Sequence, residues 1–440
     1  MKYYSTNNQA PIADLHKAVV KGLAEDRGLY MPEKINKLPK EFFDNIEKMS
    51  FQEIAYTVAS AFFGEDVDPD ALHDIVYDTL QFDCPVVNVK DNIYTLELFH
   101  GPTLAFKDVG ARFMARLLQY FIKQENNHKE VNVLVATSGD TGSAVANGFL
   151  GVDGIHVYVL YPKGKVSPIQ ECQFTTLGKN ITAIEVDGVF DDCQALVKND
   201  FMDAELNEHM KLTSANSINV ARFLPQAFYY FNAYARMKEI ANTQHLSPNT
   251  QLVMCVPSGN FGNICAALFG HEMGLPIKRF IAANNANDIF YNYLQTGKYE
   301  PKPSKQTLAN AMDVGDPSNF ARIYDLYGKS HAKITSLISG ATYSDEQIKA
   351  TMRECYKDSG YILDPHGACG YQALKDGLQA GEVGVFCETA HPAKFKEKVD
   401  DILGIDVEIP ERLAAFMRGQ KQSVPMSKDF ADFKDYLMRQ

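Results

Sequence analysis

The sequence has little cysteine and no arrangement of it that is typical of disulfides or zinc. Its 440 residues include 8 cysteines, scattered without a CxxC pair. Isolated thiols of this kind are typical of reduced, buried cysteines. We therefore expect neither a disulfide framework nor a structural zinc site.

Basic charge and long apolar runs are also scarce. The chain carries 43 lysine and arginine residues against 55 aspartate and glutamate residues, a formal charge of -12. Nucleic acid and anionic membranes need a positive surface, so neither is expected as a partner. No segment approaches the roughly 18 uninterrupted apolar residues that span a bilayer, and residues 1–9 lack the apolar stretch of a secretory signal. We predict a cytoplasmic protein.

The length and the apolar content predict a folded protein with a substantial core. Hydrophobic residues make up 45% of the chain, and at roughly 150 residues per domain the length suggests about two or three domains. The first 83 residues have apolar residues three or four apart, as in segments 12–23 and 51–63, which predicts helices. Segments 86–89 and 93–98 then predict a strand pair joined by an Asp91-Asn92 turn.

Apolar runs rich in valine and isoleucine alternate with helical patterns after this point. They cover residues 131–136, 156–161, 181–186, 252–256 and 280–283. Continuous apolar strands separated by helices predict parallel sheets that are covered on both faces. The expected fold class is therefore open α/β, in which ligands bind beyond the carboxyl ends of the strands.

Two of the loops that follow these strands are similar to each other. Residues 137–142 read TSGDTG, and residues 257–263 read PSGNFGN. Glycines let backbone N–H groups approach a ligand, and the following helix points its positive end at the same place. Such a loop either binds a phosphate or carboxylate or only turns the chain. Two of them in one chain favour the anion site, while neither continues as a dinucleotide or P-loop motif.

A third candidate is Lys107, in the segment HGPTLAFKD at residues 100–108. It lies between an apolar strand and an amphipathic helix, where burial would lower the pKa of its amine and suit it to Schiff-base chemistry. A solvated lysine at a helix start is the plainer alternative. The histidines His100, His366 and His391 have no HExxH spacing, so we expect no metal site.

Several motifs in a fixed order resemble the fold-type II pyridoxal-phosphate enzymes, and within them the threonine synthases of the longer form, which have an extra N-terminal helical domain. The likeness extends over nearly the whole chain. Its motifs are Arg27-Gly28-Leu29-Tyr30, the Lys107 segment, residues 137–142, Asn216-Ser217-Ile218-Asn219 with Arg222, residues 258–263, Asp364-Pro365-His366-Gly367 and Glu388-Thr389-Ala390-His391-Pro392.

This resemblance implies a role for each matching residue with the cofactor, pyridoxal 5'-phosphate. Lys107 would hold the cofactor covalently and later move protons on the substrate. Thr389 would place a neutral hydroxyl beside the pyridine nitrogen. The cofactor phosphate would be bound by the glycine loop, which consists of Gly259, Asn260, Phe261, Gly262 and Asn263.

The resemblance also implies substrate contacts. The carboxylate of the amino acid would be bound by Ser138, Gly139 and Thr141, with Thr103 as a weaker candidate near the carboxylate or phosphate. The phosphate of O-phospho-L-homoserine would be held by Asn216, Ser217 and Arg222. Asp140 departs from the wider fold class, which often has asparagine there, so we assign it no direct cofactor contact.

The implied architecture is a tryptophan synthase β-like fold with two open, mainly parallel sheet domains and an N-terminal mainly helical domain. The expected boundaries are 1–88 for the N-terminal domain, 89–111 and 220–440 for the large cofactor-binding domain, and 112–219 for the small domain. The implied reaction converts O-phospho-L-homoserine and water to L-threonine and phosphate, by γ-elimination and β-addition of water, in the last step of threonine biosynthesis.

Other functions are compatible with the same residues. A serine or threonine dehydratase, or a β-replacement synthase, would use the same lysine but needs no second phosphate site. A non-catalytic, cofactor-binding relative that senses a metabolite is disfavoured by the intact Lys107. A nucleotide-binding protein lacks a matching phosphate loop. The sequence is compatible with a monomer and with a homodimer.

Overall fold

Two mainly parallel sheets and a small antiparallel sheet form the frame of the chain in its computed structural model. The structure describes residues 1–126, 129–244, 246–247 and 249–440. The strands in chain order are β1 (Lys2–Ser5), β2 (Ala13–Asp14), β3 (Tyr30–Pro32), β4 (Val86–Lys90), β5 (Ile93–Glu97), β6 (Val131–Ala136), β7 (Ile155–Pro162), β8 (Ile181–Val186), β9 (Lys211–Ser214), β10 (Gln251–Pro257), β11 (Arg279–Asn284), β12 (Ile338–Thr342), β13 (Glu382–Glu388) and β14 (Val424–Met426).

Helices cover both faces of the larger sheets. In chain order they are α1 (Leu15–Lys21), α2 (Lys40–Asn45), α3 (Phe51–Phe63), α4 (Pro69–Thr79), α5 (Lys107–Gln124), α6 (Asp140–Phe149), α7 (Pro168–Thr175), α8 (Phe190–Met202), α9 (Ala204–His209), α10 (Val220–Phe223), α11 (Ala227–Gln244), α12 (Gly262–Glu272), α13 (Ile289–Thr296), α14 (Phe320–Leu326), α15 (His331–Leu337), α16 (Asp345–Ser359), α17 (Pro365–Gly377), α18 (Lys396–Leu403), α19 (Glu411–Met417) and α20 (Phe430–Leu437). Short 3-10 helices span Ile46–Lys48, Leu224–Gln226, Asn310–Met312 and Pro392–Phe395.

The six-stranded sheet has the order β12-β11-β10-β13-β5-β4. All neighbours are parallel except β4, which pairs antiparallel with β5. This confirms the predicted strand pair around the Asp91-Asn92 turn. The central strand β13 is absent from the predicted strands, although all seven of its residues are buried.

The five-stranded sheet has the order β14-β8-β7-β6-β9 and is parallel throughout. Its middle strand β6 is buried at every position, as expected for a strand with helices on both faces. The predicted parallel arrangement of open α/β sheets is therefore confirmed. Residues on both faces of this sheet pack into hydrophobic clusters with the helices that cover it.

The N-terminal region combines helices α1–α4 with the small sheet β2-β1-β3, which the sequence did not predict. The predicted helix over residues 12–23 is shorter than expected. Ala13 and Asp14 form a strand, and the Asp14 side chain then caps α1 by accepting a hydrogen bond from the backbone N–H of Lys17 over 2.8 Å.

The last segment of the chain returns to the five-stranded sheet. Strand β14 pairs with β8, and Phe433 and Leu437 of α20 are buried in the cluster that covers this sheet. The expected division places these residues in the large domain with the rest of 220–440. Strand β14, however, pairs with a strand of the five-stranded sheet. Residues 424–437 thus connect the segment that follows the six-stranded sheet to the five-stranded sheet.

The cysteines are all free thiols, seven of them buried and Cys172 half-buried. Within the described residues, no helix has both the length and the apolar character that a membrane crossing requires.

Candidate active site

A cavity of about 350 Å³ lies where the carboxyl ends of the two sheets face each other. Ala136 at the end of β6 lines it from the five-stranded sheet. Pro257 at the end of β10 and Thr389 after β13 line it from the six-stranded sheet. This is the position at which open parallel sheets bind ligands.

Lys107 begins helix α5 and extends into this cavity. Its Nζ donates a hydrogen bond to Thr141 Oγ1 over 2.7 Å. Burial lowers the pKa of its amine to about 8, and Arg222 and Lys394 add to this effect while Asp140 opposes it. The lowered pKa agrees with the prediction of a desolvated, nucleophilic lysine.

The glycine loop at residues 259–263 follows β10 and leads into α12. Phe261 has a left-handed backbone with φ of 65° and stands at the N-terminus of this helix. A Cβ atom at Gly259 would lie only 2.8 Å from Met312 Cα, so the backbone packs closely against residues 310–312. Close backbone approach at a helix N-terminus gives N–H groups aimed at an anion.

Ser217 connects this loop to the segment before α10. Its Oγ accepts hydrogen bonds from Asn260 Nδ2 over 3.0 Å and from Asn319 Nδ2 over 3.1 Å. Both lone pairs of the hydroxyl are used in this way, so its hydrogen is left to donate into the cavity. A donor at this place suits an anionic ligand.

Arg222 is a buried guanidinium that lines the same cavity. Its Nη1 donates to the backbone oxygen of Ala215 over 2.5 Å, and its Nε has no partner within the described residues. No carboxylate there lies within ion-pair distance of it. Burial lowers its pKa to about 10, which still leaves the group charged at neutral pH. A buried, unpaired cation of this kind requires an anion.

Three family descriptions match the chain. They are a pyridoxal-phosphate dependent enzyme over residues 82–387, the threonine synthase N terminus over residues 2–80 and the threonine synthase C-terminal region over residues 367–437. Threonine synthase from Serratia marcescens is 43% identical over 438 residues, covering 100% of this chain and 99% of the relative. The chain belongs to the threonine synthase family.

Solved structures of this family have the same fold. The crystal structure of threonine synthase from Escherichia coli superposes with a TM-score of 0.91 at 43% identity and covers 100% of both chains. The pyridoxal-phosphate-bound threonine synthase from Brucella melitensis has a TM-score of 0.91 at 34% identity, covering 100% of this chain and 99% of that one. The resemblance, the fold-type II class and the cofactor predicted from the sequence are thereby confirmed.

The cavity residues fit pyridoxal phosphate, the cofactor of the threonine synthase family. Lys107 offers a half-buried amine whose pKa is lowered to about 8. The glycine loop offers backbone donors for a phosphate, and Thr389 offers a buried hydroxyl beside β13. These residues reach one cavity from three separate parts of the chain, which is what covalent attachment, phosphate binding and a ring contact require together.

Most of the predicted site residues line this cavity. They are Lys107, Ser138, Thr141, Asn216, Ser217, Arg222, Gly259, Asn260, Phe261, Gly262, Asn263 and Thr389. Gly139 and Thr103 do not line it. The N–H of Gly139 donates to Thr137 Oγ1 over 2.9 Å, and the Thr103 hydroxyl donates to Asp108 over 2.6 Å. Both groups are therefore used inside the fold of this threonine synthase family member.

Arg322 supports the site from behind the cavity wall, a role that the sequence did not indicate. It is fully buried, and its guanidinium donates to the backbone oxygens of Tyr30, Ser217 and Ile218 over 2.6–3.2 Å. These bonds hold the segment that carries Asn216 and Ser217. Because the acceptors are backbone oxygens far away in sequence, no local pattern of side chains predicts this role.

Proposed function

We propose that the chain converts O-phospho-L-homoserine and water to L-threonine and phosphate, the last step of threonine biosynthesis. The observation that carries the proposal is that one cavity contains two positions suited to anions. The glycine loop supplies one, and the unpaired Arg222 with Asn216 and Ser217 supplies the other. A cofactor and a substrate that each carry a phosphate need both.

Lys107 is the proposed catalytic residue. When bound, pyridoxal phosphate supplies an aldehyde that condenses with amines and a ring that withdraws electrons from the carbons beside the substrate nitrogen. The Lys107 amine would hold the cofactor and, when free, would move protons at the α- and β-carbons of the substrate. Its pKa of about 8 leaves a useful fraction unprotonated near neutral pH, and Thr141 orients it.

Arg222 is the proposed partner of the substrate phosphate. Its free Nε–H and its charge favour a tetrahedral dianion, and the charge also stabilises the phosphate as it leaves the γ-carbon. The Ser217 hydroxyl adds a second donor on the same wall. Burial of Arg222 strengthens both effects because little water competes with the ligand.

Ser138 and Thr141 are the proposed partners of the substrate carboxylate. Both lie in the loop and first turn after β6 and line the cavity. Gly139 and Thr103, expected in the same role, support it indirectly, because their hydrogen bonds to Thr137 and Asp108 shape the walls. Thr389 is proposed beside the pyridine nitrogen, where a neutral hydroxyl leaves the ring unprotonated.

The decisive experiment compares Arg222→Met with the parent chain in two assays. We expect the KM for O-phospho-L-homoserine to rise about 10- to 100-fold, because a charge-assisted hydrogen bond contributes about 1.5–3 kcal/mol. The affinity for L-threonine, which lacks a phosphate, should change less than about threefold. Arg112→Met is the matched control, since that guanidinium binds the backbone oxygens of Thr79 and Asp78 and does not line the cavity.

The same enzyme preparation tests the rival functions. A dehydratase would release ammonia from L-serine or L-threonine faster than it turns over O-phospho-L-homoserine. A metabolite sensor would bind the phosphorylated substrate without turnover. Steady release of phosphate together with L-threonine excludes both. The free thiols suit a reducing compartment, which supports a cytoplasmic location.

A further inference from the structure

A buried ion pair lies next to the catalytic cavity. Lys394 Nζ is 2.6 Å from Asp140 Oδ1, and the two side chains are 0% and 4% exposed. Two charges removed from water in this way are stable only when each is paired and hydrogen-bonded. Lys394 does not match any expected site residue, and Asp140 is a departure from the wider fold class.

Further hydrogen bonds surround the pair. Lys394 also donates to the backbone oxygen of Thr103 over 2.8 Å, and Asp140 Oδ1 also accepts from Gln170 Nε2 over 3.1 Å. The Thr103 oxygen accepts a second hydrogen bond, from Gln173 Nε2 over 3.1 Å. Thr103 therefore serves this network instead of lining the cavity.

The pair joins the two large sheets. Asp140 begins α6 directly after β6 of the five-stranded sheet, and Lys394 lies in the 3-10 helix that follows β13 of the six-stranded sheet. The contact thus connects the two walls of the catalytic cavity at a place where neither charge is exposed to solvent.

The pair also acts on the charge around Lys107. Asp140 precedes Thr141, whose hydroxyl accepts the hydrogen bond from Lys107. The charged groups that influence Lys107 are Asp140, which raises its pKa, and Arg222 and Lys394, which lower it in addition to burial. Burial alone would raise the pKa of Asp140, but Lys394 and then Lys107 lower it to about 2.

Other titratable groups face Lys394. Burial raises the pKa of Asp108, and the charge of Lys394 opposes this with a smaller effect. Burial lowers the pKa of His391, and the charge of Lys394 adds a smaller effect in the same direction. Burial likewise raises the pKa of the Cys172 thiol, and the charge of Lys394 opposes this with a smaller effect. Within the described residues, Asp140 is the carboxylate that forms an ion pair with Lys394.

We propose that Asp140 and Lys394 are positioning residues that balance the charge around the Lys107 amine while they join the two sheets. The proposal rests on the assignment of Lys107 as the catalytic lysine. Without Lys394, Lys107 is the remaining cation that acts on the buried carboxylate of Asp140, and this negative charge keeps the Lys107 amine protonated. Without Asp140, the amine loses its nearby negative charge.

The test measures the Lys107 amine in cofactor-free protein. An amine-reactive reagent is applied at a series of pH values, and the label on Lys107 is quantified by peptide mass spectrometry. We expect Lys394→Met to move the midpoint of Lys107 labelling upward by about one pH unit or more, whereas Asp140→Asn moves it downward, and an unchanged midpoint in Asp140→Asn would contradict the role of Asp140. The double variant should lie between the two.

Two further variants separate charge from structure. Lys394→Gln keeps an N–H donor for Asp140 and the Thr103 oxygen but removes the charge, so it should give the same upward shift as Lys394→Met. Lys396→Met is the matched control, because that ammonium binds Asp400 over 2.7 Å at the surface and should cause no shift. Equal labelling midpoints in Lys394→Gln and the parent, or shifts of one direction in both single variants, would overturn the proposal. Labelling needs no turnover, so its result stands apart from the substrate assignment.

Discussion

The amine of Lys107 and the hydroxyl of Thr141 are joined by a hydrogen bond of 2.7 Å that crosses between the two sheets. Lys107 begins α5, which follows β5 of the six-stranded sheet, while Thr141 lies in the first turn of α6 after β6 of the five-stranded sheet. The amine of Lys107 is therefore oriented by a residue of the opposite cavity wall, so that a change at either wall affects its position.

Replacing Thr141 with valine removes the oxygen that orients the amine and keeps the shape of the side chain. We expect kcat for O-phospho-L-homoserine to fall about 10- to 100-fold, because the lost hydrogen bond contributes about 1.5–3 kcal/mol when one group is charged. Steady-state kinetics measure the effect. Thr141→Ser retains the hydroxyl and should stay within about threefold of the parent. Equal losses in both variants would show that the methyl group matters instead.

The strands and loops that hold these residues could be predicted from the sequence where the signal is a local pattern of apolar residues or glycines. Continuous apolar runs such as Val131–Ala136 predict fully buried parallel strands, and the structure has β6 at the same residues. The glycine loop after β10 is likewise a local signal. Strand β13 escaped prediction, although its apolar residues 383 and 385–387 stand beside the Glu388 motif.

Contacts between distant parts of the chain could not be predicted in the same way. The partner of Asp140 is Lys394, which comes from the other sheet, and the acceptors of Arg322 are backbone oxygens. Which charged groups meet in a core depends on how the sheets pack, and a single sequence holds no local pattern for that. The resemblance to the threonine synthases supplied the residue roles that periodicity does not.

His366 supports residues 310–312, which line the cavity and pack against the glycine loop. Its Nδ1 lies 2.5 Å from Asp364 Oδ2, and its Nε2 accepts a hydrogen bond from the backbone N–H of Ala311 over 3.1 Å. Because Nε2 accepts this hydrogen bond, the ring hydrogen lies on Nδ1, which donates to Asp364. The histidine thus acts as a hydrogen-bonding strut that fixes residues 310–312 against Gly259.

His366→Asn should weaken cofactor binding, since its short amide cannot reach Ala311. We expect the Kd for pyridoxal phosphate to rise about tenfold, in line with about 1–1.5 kcal/mol for a lost neutral hydrogen bond. A fluorescence titration of cofactor-free protein measures it. His366→Gln places an oxygen near the former Nε2 and should recover most of the affinity. An unchanged Kd in the asparagine variant would rule out the supporting role.

Glu382 at the start of β13 makes stability depend on acid pH. Its carboxylate accepts from Arg279 over 2.6 Å and from Lys278 over 2.9 Å, and Arg279 is the main cause that lowers its pKa to about 2. A carboxyl whose folded pKa is below its unfolded value stabilises the fold fully above the unfolded pKa, and the gain is lost as pH falls towards the folded one.

Glu382→Gln should therefore be destabilising at pH 7 by about 2–3 kcal/mol. The difference in the free energy of unfolding between the variant and the parent should become smaller by about 1 kcal/mol at pH 4 and by about 2 kcal/mol at pH 3. Thermal unfolding of the two proteins side by side measures it, since the other carboxyls titrate equally in both. Glu346→Gln is the control, because that residue is exposed and pairs only with Lys349 at the surface. A difference that is constant from pH 7 to pH 4 would contradict the mechanism.

Glu388 and Asp364 are neighbouring buried carboxyls that carry different charges. Burial, and then the charge of Asp364, raises the pKa of Glu388 well above its usual value. Burial also acts to raise the pKa of Asp364, but the contacts with His366, Glu388 and the N–H of Gly367 together outweigh it and lower that pKa. Glu388→Gln, which copies a protonated carboxyl, should change stability by less than about 1 kcal/mol. Asp364→Asn should lower the free energy of unfolding by about 2–3 kcal/mol. The reason is that Asp364 accepts a hydrogen bond from His366 and another, over 2.7 Å, from the N–H of Gly367 at the start of α17. Thermal unfolding at pH 7 compares the two variants, and a greater loss in Glu388→Gln would mean that Glu388 carries the charge.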